Sequence, residues 1–93
     1  MKLGKKKTQL QQVDIHRVYV FCPATFDDVQ YAIDTLSNQT PLVISFANTD
    51  DKLMQRFLDF LSGAIYALKG RVMQMQQRDF LFVPQDVEVL FDD

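Results

Sequence analysis

Residues 56–70, RFLDFLSGAIYALKG, restrict the fold of this chain more than any other stretch. Apolar residues recur at Leu53, Phe57, Leu61, Ala64 and Leu68, the spacing of one helical face. Met54, Leu58, Phe60, Ile65 and Ala67 widen that stripe well past the usual width. A helix resting on one sheet needs one apolar face, and a helix apolar on most sides must be covered on most sides. A chain of 93 residues has little other protein to provide the second cover. A second copy of the same helix is the expected cover, with Leu58, Leu61, Gly63, Ala64 and Ile65 at the contact. Ser62, Gly63 and Ala64 form a small-residue patch where another backbone can approach. The plainer alternative is the core helix of a small monomer.

The length suits one domain. No apolar run reaches the ~20 residues of a membrane span, and no apolar signal core follows the basic N-terminus. A cytoplasmic protein is expected. The single Cys22 rules out an internal disulfide and fits a reducing compartment. Charge is unevenly placed. Residues 1–17 carry five basic side chains against Asp14, a net +4, and residues 18–93 carry five against eleven acids, a net −6. Residues 1–15 read as a loose basic arm ahead of a core at 16–93. Lys2, Lys5, Lys6 and Lys7 are the arm's candidate contacts with anionic lipid.

The core reads in the order β-α-β-α-β-β-β. RVYVFC (17–22) is β-branched and aromatic, stops at Pro23, and is apolar on both faces, as in a strand covered on both sides. Thr25 caps a first helix that runs to about Ser37, with Asp27 and Asp28 at its positive end. LVISF (42–46) makes a second strand, parallel to the first. Thr49 or Asp50 caps the long helix, and Gly70 stands where a C-terminal cap belongs. Residues 71–76, 79–83 and 87–91 are the last three strands. The expected architecture is α/β: two helices on one face of a roughly five-stranded mixed sheet. In the fourth strand Phe80 and Phe82 point one way and Leu81 and Val83 the other, so one pair meets the helices and the other faces out.

Signs of catalysis are few. His16 and Cys22 are six residues apart, roughly 20 Å along an extended strand, too far for a base and nucleophile. Cys22 reads as a small core residue. One Cys and one His cannot build a zinc cluster, and Asp50-Asp51 are better explained as helix caps than as a metal pair. The glycines Gly4, Gly63 and Gly70 are too scattered for a phosphate-binding loop. Tyr19, Phe21, Phe80 and Phe82 would suit a base-stacking sheet, but the acidic core argues against nucleic acid. Apolar and aromatic residues with isolated cations suit a peptide with an apolar and an acidic side. No enzyme activity, metal or cofactor is expected.

Several segments in order resemble the SepF family of cell-division proteins. They are PATFDDVQYA (23–32), PLVIS (41–45), QRFLDFLSGAIYAL (55–68) and FLFVP (80–84) followed by DVEV (86–89). The resemblance spans roughly residues 18–90 and implies a dimer-forming α/β domain. It implies binding to the C-terminal tail of FtsZ, the tubulin-like division GTPase, and the alignment, bundling or membrane tethering of FtsZ filaments. The implied location is the division site, peripheral to the inner face of the membrane. The implied peptide groove uses a strand phenylalanine, matched by Phe80 with Phe82 beside it, and a basic residue. That basic position falls at Gln74, with Arg71 and Arg78 the cations at hand. The family's N-terminal membrane helix is matched only by MKLGKKKTQLQQ, and its Gly-Gly after the long helix by Lys69-Gly70, a change expected to weaken polymers beyond the dimer. The competing reading is a small ligand-sensing regulatory domain with a polar pocket.

Overall fold

Among the described residues, two helices cover one side of a four-stranded sheet, and the alternation within each strand dictates which side. The computed structural model describes residues 17–90. The elements are β1 (Tyr19–Phe21), a 3-10 turn (Phe26–Asp28), α1 (Val29–Ser37), β2 (Leu42–Ser45), α2 (Asp51–Ala67), β3 (Arg71–Gln76) and β4 (Asp79–Val83). The strand order is β1-β2-β4-β3, with β1 parallel to β2 and the other pairs antiparallel. Register sets Tyr19, Leu42, Phe82 and Val72 in one row across the sheet and Phe21, Ile44, Phe80 and Gln74 in the next of the same face. This face meets the helices, since Leu42, Ile44 and Phe82 belong to the buried core. Between those rows, Val20, Val43, Leu81 and Met73 form an apolar row on the opposite, open face.

Phe57 of α2 is the centre of the core. Its ring lies 5.6 Å from Phe46, 6.2 Å from Phe26 and 6.4 Å from Phe21, edge-on or tilted in each case. Burying such a side chain contributes about 1.5–3 kcal/mol. Leu61 and Ile65 follow at four-residue steps on the same buried stripe. Asp50 caps α2 by accepting the Leu53 N–H at 2.8 Å. The chain enters the first helical segment through Asp28, whose carboxylate accepts the N–H groups of Ala24 (2.8 Å) and Thr25 (3.0 Å). Those two bonds hold its pKa below the usual carboxylate value.

The structure corrects four expectations. Residues 87–90 form no strand, so the described sheet has four strands. The segment is instead held by Arg71 Nη2, which donates to the Val87 carbonyl at 2.9 Å. β1 is an edge strand rather than a covered one, and Val20 is 71% exposed. Cys22, just past that edge, is exposed and not part of the core. At the end of α2 the left-handed residue is Lys69 (φ 62°), and the Gly70 N–H closes the turn on Ile65 O at 2.9 Å. Gly70 answers a different demand: a Cβ there would lie 2.4 Å from the Val83 carbonyl oxygen.

Candidate functional site

The hairpin of β3 and β4 carries all five residues expected at a peptide groove, and its register divides them. Phe80 and Gln74 are cross-strand partners on the helix-facing side. Phe80 is half-buried, packed against the core with its ring 5.9 Å from Phe46, while Gln74 is exposed. Phe82 shares that side but is fully buried beneath the helices, so it offers no surface to a ligand. Arg71 pairs with Val83 on the opposite face, where its guanidinium holds the Val87 carbonyl.

Arg78, in the turn, is committed elsewhere. Its Nε donates to Phe46 O at 2.9 Å, one Nη to Asp51 Oδ1 at 2.9 Å, and the other to Thr49 O. It secures the hairpin tip to the start of α2. Of the five, the structure therefore brings together only Phe80 and Gln74, a half-buried aromatic ring beside an exposed amide. On the same side, Met54 and Leu58 of α2 are half-buried against the core.

The residues expected at a helix–helix contact also separate. Leu61 and Ile65 lie inside the chain's own core, at 0% and 3% exposure. Their burial leaves them nothing to offer a second copy. Leu58 and Ala64 are half-buried, and Gly63 is exposed with open space around it. Tyr66 stands 85% exposed one turn on. Phe60, half-exposed, stacks edge-on against Phe26, whose ring also carries the Arg56 guanidinium 4.0 Å from its centroid.

The four aromatics that suggested base stacking all lie on the helix-facing side, and Phe82 is fully buried, so they make no open platform. Among the described residues no group of His, Cys, Asp and Glu is arranged to hold a metal ion. None of the described helices is long and apolar enough to cross a membrane. His16 and the lysines Lys2, Lys5, Lys6 and Lys7 lie outside the described residues.

The sequence reading missed a groove of about 610 Å³ between the open face and the C-terminal segment. Val18, Pro41, Leu81 and Val83 line one wall, and residues 86–90 the other. The outward alternation of Leu81 and Val83 was its only sequence signal.

The family model described as "Cell division protein SepF" matches residues 18–89. The chain is similar to the SepF proteins of Acetivibrio thermocellus (32% identical, covering 97% of this chain and 61% of that protein) and Syntrophomonas wolfei (38% identical, 82% and 54%). It thus spans between half and two-thirds of the length of these curated relatives. Among solved structures, a SepF-like protein from Archaeoglobus fulgidus has the same fold at 15% identity, with a TM-score of 0.72 over 82% of this chain and 94% of that one. SepF from Methanobrevibacter smithii in complex with FtsZ-CTD matches at 13% identity, with a TM-score of 0.65 over 81% and 98%. With the family match running through both helices and all four strands, this chain belongs to the SepF family.

Proposed function

We propose that this chain is a cell-division adaptor, not an enzyme, which binds the C-terminal tail of FtsZ and helps align, bundle or tether FtsZ filaments at the division site. The observation that carries the proposal is the half-buried Phe80 ring beside exposed Gln74, in a chain of this family. The relative solved with FtsZ-CTD supports the choice of partner. An apolar residue of the tail packs on the Phe80 ring, and Gln74 supplies a neutral hydrogen-bonding rim where the family resemblance implies a cation.

The chain acts as a homodimer through the outer side of α2, where Gly63 permits close approach and Leu58, Ala64 and Tyr66 flank it. Pairing two weak peptide sites raises avidity on a filament that displays many tails. The basic arm adds a contact with anionic lipid on the inner face of the membrane. Binding of a labelled FtsZ C-terminal peptide, measured together with particle mass, tests the adaptor and the dimer at once. A folded chain that neither binds the peptide nor exceeds the monomer mass would contradict both.

A further inference from the structure

We propose that the lysine-bearing arm, residues 2–10, docks within the same chain in the groove between the open sheet face and residues 86–90. The groove belongs to neither the Phe80 side nor the outer side of α2. Its sheet wall is wholly apolar: Val18, Pro41, Leu81 and Val83. Among the described residues that line it, the only charged ones are Asp86 and Glu88, both exposed. A fitting occupant is therefore a segment with a few apolar side chains among lysines.

The chain carries one such segment. Lys2, Lys5, Lys6 and Lys7 accompany Leu3 and Leu10, and the first 17 residues bear a net +4 against −6 for the remainder. The arm also enters at the right place. It reaches the described structure at Arg17, next to Val18, which is itself in the groove wall. The eight positions from Leu10 to Val18 span at most about 28 Å, ample to fold back over a groove that Val18 borders. A short tether places the arm at an effective concentration in the millimolar range, so a weak complementary contact suffices. Docking covers the open groove and neutralises Asp86 and Glu88 with lysines. It also withholds those lysines from any other anionic partner until one competes them away.

The chain has no tryptophan, so Leu3→Trp gives a clean reporter in the full-length protein. At low salt its emission is expected to be blue-shifted, independent of protein concentration, and to move to the solvent position as salt screens the contact. Asp86→Lys with Glu88→Lys should abolish the shift. Lys5→Glu, Lys6→Glu and Lys7→Glu together should do the same without touching the described fold. A solvent-like emission at low salt, or a shift that survives the lysine reversals, would overturn the proposal. A shift that grows with protein concentration would assign the groove to another copy's arm and overturn docking within the chain.

Discussion

Arg78 and Phe46 grip each other through two hydrogen bonds of opposite direction: Phe46 N–H donates to Arg78 O at 2.8 Å, and Arg78 Nε donates to Phe46 O at 2.9 Å. Phe46 directly follows β2 and packs edge-on against Phe57 and Phe80. The pair thus joins the hairpin tip to the aromatic centre of the core. Arg78→Ala leaves the carbonyls of buried Phe46 and half-buried Thr49 without their charged donor and should cost about 1.5–3 kcal/mol. The Asp51 contact adds little, because that carboxylate is largely exposed. Arg78→Lys should recover only part, since an ammonium cannot match the guanidinium fork. Chemical denaturation of the three proteins checks the order.

The end of α2 makes opposite predictions for neighbouring positions. Lys69 sits at φ 62°, where glycine is unstrained, so Lys69→Gly should stabilise the fold by about 0.5–1 kcal/mol. Gly70→Ala should destabilise it strongly, because the added carbon would lie 2.4 Å from Val83 O, a backbone atom. Thermal melts of the two variants should shift in opposite directions.

This turn also marks where the sequence was legible and where it was not. The helix, the hairpin and the parallel pair follow from periodicity and punctuation; the hairpin strands keep their expected bounds, while β1 is only half the expected 17–22 and α2 stops at Ala67. Placement within the turn does not, since a glycine after a helix serves equally as a left-handed cap or a close-packed position, and only the neighbouring Val83 carbonyl decides. The same gap explains Leu61 and Ile65. Their spacing announces a broad apolar face without saying which part the sheet takes, and the sheet took them. At the candidate site, alternation placed Phe80 and Phe82 on one face, but only tertiary packing separates them, with Phe82 fully buried and Phe80 half-buried against Phe46. Val87 and Val89 alternate like a strand, yet the Arg71 side chain, not a β ladder, holds that segment.

Asp28 gives an acid-side signature. Its folded pKa is lowered below 3.8, first by the Thr25 N–H and then by that of Ala24. The carboxylate's stabilising contribution is therefore complete above the unfolded value and is lost as pH falls through the lowered folded value. Asp28→Asn should flatten that part of the profile of Tm against pH and leave the neutral region's slope unchanged.

The proposed self-association through α2 can be separated from core stability by position. Leu61→Asp should unfold the chain, since that side chain is fully buried. Gly63→Leu, on exposed helix, should leave the melt intact and reduce the mass seen by light scattering from dimer to monomer. An unchanged dimer mass in folded Gly63→Leu would place the interface elsewhere.

The most direct measurement is a titration of a labelled FtsZ C-terminal peptide into the wild-type chain and two folded variants, Phe80→Ala and Gln74→Lys. Saturable binding is expected, weakened about tenfold or more by loss of the Phe80 ring, a truncation worth upwards of about 1.4 kcal/mol at a binding anchor. Binding should tighten when Gln74→Lys supplies a basic rim against an acidic peptide. Saturable binding that neither substitution alters would remove the site from the β3–β4 hairpin, and no saturable binding by the folded wild-type chain would contradict the adaptor itself.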